Sequence, residues 1–313
     1  MRAGGVLIAL FFGPGAAQAY HGRFWRGMRW AVLFVVATLA ALLTKYAFLA
    51  SAGFWALSIL DGIYLSLTVP TGPRRWDQAL GFLGSYVAIG FVLNQYVLQM
   101  YRVPSSSMTP TLPLGTHIMA EKITYRVKAP AAGDVAVFRH PCSDRDFVMR
   151  VVATAGQTVE VRCGVLYIDG AAQAQDGAHP AKIHDETGDG QPVELDVTVK
   201  TEHLGSVAHD ISQRPGNPAA HDFPRVDLEK APSCVTPALD QSGVPTAALG
   251  QEPGTLSVAT AGAAECAPQR HYTVPKGHVF VLGDSRDNAN DSRNWGSVPL
   301  SYVEGRVIWQ HHW

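Results

Sequence analysis

Apolar residues crowd the first hundred positions of the chain, whereas Asp, Glu, Pro and Gly concentrate after residue 110. Four apolar segments stand out, at 5–20, 30–50, 52–70 and 78–100, and the last three each approach the roughly 20 residues that an α-helix needs to span a bilayer. Residues 1–100 are therefore expected to be a helical, multi-pass membrane region in contact with lipid. The first segment is shorter and broken at Gly13-Pro14-Gly15. Because Arg2 precedes its apolar run and Ala17-Gln18-Ala19 has the small-x-small form of a cleavage site, it also reads as a removable signal peptide.

A competing reading retains that segment, because GPGAAQAYHGRFWRG resembles the Gly-rich helix-turn of small membrane-hairpin modules. Arg23, Arg26 and Arg29 then fall in one short loop and Arg74 and Arg75 in another, with two spans between them. Positive loops face the cytoplasm, so the segment 78–100 exits on the opposite side and everything after Tyr101 is expected to be periplasmic. Asp61, inside the third segment, is costly in lipid unless it is paired, lies near an interface, or marks the end of a shorter span.

From residue 116 to 170 the periodicity changes. HIMAEKITYRV, GDVAVFRHP, DFVMRVVATAG and QTVEVRCGVLYIDG are short β-branched runs separated by Gly, Pro and Asp, the pattern of a mainly antiparallel sheet. VLYIDG closes on an Asp-Gly turn. Residues 171–270 are richer in Gly, Pro, Ala, Asp and Gln, and only 193–211 reads as a hairpin, so this stretch is expected to be an inserted, loop-rich subdomain. Regular pattern returns in YTVPKGHVFVLGD and YVEGRVIWQHHW. The expected organisation is a membrane region over 1–100, a β domain built from 101–170 and 271–313, and the insert at 171–270.

A net charge of −1 and a pI near 6.9 provide no basic field for nucleic acid, so that partner class is set aside. The 12 histidines include no HExxH spacing, and no metal or other cofactor is expected. Cys234 and Cys266 could close a loop of about 30 residues inside the insert, stabilising it by a few kcal/mol in an oxidising compartment. Cys142 and Cys163 could pair as well, and sequence alone leaves the connectivity open.

Directly after the last apolar segment stands Pro104-Ser105-Ser106-Ser107-Met108-Thr109-Pro110-Thr111-Leu112. This run resembles the nucleophile box of bacterial type I signal peptidases. The resemblance continues in register through GDVAVFRHP (133–141), DFVMRVVATAGQTV (146–159), GVLYIDG (164–170) and GDSRDNANDSRNWGSVP (283–299). It implies a mainly antiparallel β catalytic domain that cleaves signal peptides from exported preproteins after small residues. It further implies Ser107 as nucleophile, close to the membrane surface, with the Ser107 N–H and the Ser105 hydroxyl as oxyanion donors. Asp291 and Arg293 match the family's buried acid–base pair, and Asp284, Arg286 and Arg150 match its supporting residues.

The resemblance also implies a buried lysine as general base immediately before Arg150, but Met149 occupies that position. A thioether does not titrate near neutrality. The serine that would hydrogen-bond the lysine aligns with Ala289, so two departures coincide. Three readings follow. The chain is an inactive homologue that binds signal peptides without cutting them; or a peptidase with another base, for which His140 is the candidate; or an ordinary lysine enzyme whose base has been substituted, against which Ala289 argues.

Overall fold

The computed structural model describes residues 3–41, 47–68, 75–143, 145–186, 191–216, 222–224, 254–258 and 270–311. The chain forms two compact units, Met1–Gln95 and Tyr96–Trp313.

The first unit is helical: α1 (Ala3–Phe11), α2 (Ala16–Tyr20), α3 (Phe24–Ala41), α4 (Ala47–Thr68) and α5 (Trp76–Tyr96). These helices occupy the four apolar segments, yet no helix of the described residues is long and apolar enough to cross a membrane. The turn between α1 and α2 depends on glycine. Gly15 adopts φ 94°, and a Cβ there would lie 2.4 Å from the Gly27 carbonyl oxygen, so only a residue without a side chain lets α2 and α3 approach this closely. Asp61 is paired rather than isolated. It accepts hydrogen bonds from Gln18 Nε2 at 3.0 Å, from Trp30 Nε1 at 2.9 Å and from the Arg26 guanidinium.

The second unit is mainly antiparallel β. Its seven-stranded sheet runs in the order β1 (Leu98–Arg102), β2 (His117–Glu121), β15 (Val303–His311), β3 (Val135–Arg139), β4 (Asp146–Thr154), β13 (His278–Leu282) and β14 (Val298–Pro299). A five-stranded sheet joins β11 (Thr255–Val258), β12 (Arg270–Thr273), β5 (Thr158–Arg162), β6 (Val165–Ile168) and β7 (Ala171–Ala172). A third sheet has β9 (Pro192–Leu204) between β10 (Val207–Gln213) and β8 (Gln175–Glu186). Among the described residues, two large buried clusters lie in the unit, one around Met108, Phe138, Met149, Val281 and Trp295, the other around Val152, Val161, Phe223, Tyr272 and Phe280, with a small third at Ile183, Val197 and Val199.

Several local features differ from the sequence pattern for identifiable reasons. Leu98–Arg102 continues an apolar run but is a strand, paired with β2 from Leu98↔Glu121 to Arg102↔His117. The run HIMAEKITYRV is a strand only as far as Glu121. The Glu121 carboxylate there accepts from the Ile123 and Thr124 N–H groups, and a helical turn, α6 (Thr124–Val127), follows. Residues 175–186 carry Gly177 and Pro180, which disguise a strand. They nevertheless form the edge strand β8, with a register shift between Asp176 and His179 that absorbs the glycine. The Asp-Gly turn is present as expected, with φ 51° at Asp169 and 77° at Gly170, between β6 and β7. Cys142 and Cys163 are both disulfide-bonded. Cys234 and Cys266 lie outside the described residues.

Candidate active site

Ser105, Ser106 and Ser107 sit on the loop between β1 and β2. Met108 and Leu112, both fully buried, anchor that loop in the core. The backbone closes it further: Thr109 N–H donates to Ser106 O at 3.0 Å and Leu112 N–H to Met108 O at 2.8 Å. The three serines alternate. Ser105 and Ser107 line a cleft of about 370 Å³, their hydroxyl oxygens 3.1 Å apart, while Ser106 is only 2% exposed. The cleft is completed by β1 and the loop after it (Tyr101 to Pro104), Ile118, Val137, Arg145 to Met149 on the strand side, and Asn288 with Asn290.

Met149 is thus brought to the same cleft as Ser107. It lies on β4 opposite Ala136 of β3, 1% exposed, within the main apolar cluster. Its neighbour Arg150, on the other strand face, donates to Asp284 through Nε at 2.9 Å and Nη2 at 2.7 Å, and to the Gly133 carbonyl at 2.9 Å. Ala289 is close to the serine loop by way of Gly283. A Cβ on Gly283 would meet Ala289 Cβ at 2.3 Å and the Ser107 carbonyl oxygen at 2.6 Å. That carbonyl accepts from Ser285 N–H at 3.0 Å, which ties the 283–293 segment to the serine loop.

Asp291 is fully buried and works in three directions. It caps the helical turn α7 (Ser292–Trp295) by accepting from Arg293 N–H at 3.1 Å, it accepts from Gly283 N–H at 3.2 Å, and it pairs with the Arg293 guanidinium at 2.8 Å. Burial works against the Arg293 charge, but the Asp291 carboxylate outweighs it and raises the pKa. Arg286 is equally buried and pairs with Glu202 of β9. Burial opposes the Glu202 charge too, yet Arg286 and the other donors around it, including Gln175 Nε2 at 3.1 Å, hold its pKa down to about 2. His209 of β10 lies between the two acids, its Nε2 3.5 Å from Glu202 and 4.0 Å from Asp284. These acid–base pairs form a buried frame behind the serines.

His140 does not line the cleft. Its ring is packed between Phe147, at 4.5 Å between centroids, and Trp295, at 4.9 Å. Its Nδ1 accepts from Cys142 N–H at 3.1 Å, and its Nε2 is buried without a hydrogen-bond partner among the described residues. Burial pushes its pKa down to about 4. Among the described residues, the cleft lining holds one carboxylate, Asp146, and neither lysine nor histidine. Asp146 and Glu304 act on Tyr101, whose hydroxyl, chiefly through burial, has its pKa raised.

Sequence reasoning passed over Ser106, Asp146, Asp185, Asn290 and Glu202. Asp185 and Glu202 come from β8 and β9, and nothing in the local pattern marks them.

The signal peptidase family model, peptidase S26, matches residues 76–313. The chain is 30% identical over 224 residues to a signal peptidase I of Aquifex aeolicus (strain VF5), covering 69% of this chain and 76% of that protein. It is 27% identical over 246 residues to a signal peptidase I of Pseudomonas aeruginosa, covering 70% and 66%. A solved signal peptidase I from Enterococcus faecalis V583 matches at 20% identity with a TM-score of 0.26, over 57% of this chain and 97% of that one. The chain belongs to the signal peptidase family, peptidase S26.

Proposed function

We propose that this protein recognises the signal peptides of exported preproteins in the Ser105–Ser107 cleft, and that Met149 leaves it with little or no capacity to cut them. In this reading Ser107 Oγ is the group positioned to attack the scissile carbonyl, and its own N–H with the Ser105 hydroxyl receives the developing oxyanion. Arg150, Asp284, Arg286, Ala289, Asp291 and Arg293 support the serine loop. An alcohol also needs an acceptor for its proton before it can attack. The observation that carries the reading is the cleft's composition: Met149 shares it with Ser107, and among the described residues no lysine or histidine does.

The arginines of the lining present only donors and accept nothing. Asp146, at the cleft-lining start of β4, stands opposite Arg139 in register. His140 keeps a structural role, because its Nδ1 lone pair is already engaged and its Nε2 then carries the proton. Loss of the base in a serine hydrolase costs on the order of a million-fold, about 8 kcal/mol of barrier.

We assign the helical unit to a membrane, with the β unit periplasmic. Supporting this are the outward apolar side chains on its helices, among them Phe11, Trp25, Val87 and Phe91, each more than 60% exposed. The test is binding of a fluorescent Ala-x-Ala signal peptide to the full chain in detergent. Saturable binding, competed by unlabelled peptide and unaffected by His140→Ala, is expected. No saturable binding contradicts the reading.

A further inference from the structure

The middle serine of the triplet has its own set of partners. Ser106 Oγ donates to Asp185 Oδ1 at 2.6 Å and accepts from Asn288 Nδ2 at 2.8 Å, and the same Asn288 nitrogen lies 2.7 Å from Asp185 Oδ2. The three side chains close a triangle. Its corners come from the serine loop, from the 283–293 segment and from the end of β8 in the insert, 79 residues from Ser106 in sequence. A hydrogen bond to an ionised carboxylate is roughly twice as strong as one between neutral groups, so Asp185 is the strong corner.

The consequence for the site follows from alternation. Ser106 turned inward leaves Ser105 and Ser107 facing the cleft together, their hydroxyls 3.1 Å apart. Releasing Ser106 frees the loop to rotate, and the two outer hydroxyls lose their common direction. Asn288 lines the cleft with one side of its chain while it is fixed on the other by Asp185 and Ser106. The backbone bond from Ser285 N–H to Ser107 O holds the carbonyl of the nucleophile residue but not the loop's rotation about it.

We infer that Asp185, supplied by the inserted hairpin, is a positioning residue that pins Ser106 to Asn288 and thereby sets the orientation of Ser105 and Ser107. The inference rests on the proposed reading of the cleft only for its second readout. The insert is therefore more than a covering on the β domain. Together with the 283–293 segment it holds the middle of the serine loop.

Two measurements on the full chain test it. The first is amide hydrogen exchange in a peptide spanning 104–112. Asp185→Ala should speed exchange there by about tenfold or more while leaving the β5–β6 hairpin as protected as before. Asp185→Asn alone and Asn288→Asp alone should also loosen the loop. The combined Asp185→Asn with Asn288→Asp should tighten it again, because the triangle then re-forms with donor and acceptor exchanged.

The second measurement is turnover in a Met149→Lys, Ala289→Ser background. There Asp185→Ala should lower kcat at least tenfold with KM changed less than threefold, and the exchanged pair should recover part of it. Unchanged protection of 104–112 in Asp185→Ala overturns the inference, as does loosening shared equally by the β5–β6 hairpin. Absence of turnover in the Met149→Lys, Ala289→Ser background counts against the proposed function instead, and leaves the exchange comparison to decide about Asp185.

Discussion

Arg150 donates two hydrogen bonds to Asp284, at 2.9 and 2.7 Å, with both side chains at most 5% exposed. The pair links β4, one residue beyond Met149, to the first acid of the 283–293 segment. A buried pair is not in itself a large gain over apolar packing, but removing one partner strands a buried charge. Asp284→Ala is expected to lower unfolding stability by about 3–5 kcal/mol. Replacing both residues together, Arg150→Met with Asp284→Leu, should cost clearly less. Urea unfolding of the two variants beside the parent checks both figures.

His140 sets a pH dependence of stability on the acid side. Its pKa in the fold is about 4, against an ordinary value of 6.5, because the charged ring is disfavoured between Phe147 and Trp295. The unfolded chain therefore binds a proton before the folded one does. The stability associated with the neutral ring is fully present above pH 6.5 and is lost as the pH falls toward 4, by at most about 3 kcal/mol. His140→Phe should flatten the stability curve across that window. An equally steep fall in the variant would locate the titration elsewhere.

Glu202 acts lower on the scale. Its pKa is held at about 2 against an ordinary 4.5, chiefly by Arg286 acting against burial. Its contribution is complete above pH 4.5 and disappears between 4.5 and 2 as the carboxylate is protonated. Glu202→Gln should destabilise the protein at pH 7, since it leaves the buried Arg286 unpaired, and should remove the part of the acid unfolding that lies below pH 4.5. Unfolding followed against pH by near-UV circular dichroism distinguishes the variant from the parent.

The serine loop and the 283–293 segment were legible as family motifs because their signals are local. PSSSM follows an apolar run, GDSRDNANDSR packs acids and bases at fixed spacing, and β-branched strands end at Gly and Asp turns. Met149 was legible for the same reason, standing beside Arg150 where a base was implied. Asp185 and Glu202 were not. Asp185 sits in a stretch rich in Gly, Pro and Asp and Glu202 within the 193–211 hairpin pattern, and each acts only after β8, β9 and β10 fold back against the serine loop and the 283–293 segment. Burial is equally invisible in one dimension. His140 reads as a polar strand-end residue beside Pro141, but the structure packs it between two aromatic rings. Strand β1 escaped notice because LQMYR continues the apolar pattern of the helix before it, and only pairing with β2 distinguishes the two.

The claim on which the functional account depends is that the cleft around Ser107 is intact except for its proton acceptor. The most direct measurement is the rate at which an Ala-x-Ala preprotein is cleaved by the full chain as it stands and by the Met149→Lys, Ala289→Ser variant. The account predicts negligible cleavage by the first and an increase of at least about a thousand-fold in the second, abolished by Ser107→Ala. Efficient cleavage by the unaltered chain, or no gain when the amine and its hydroxyl partner are supplied, contradicts it.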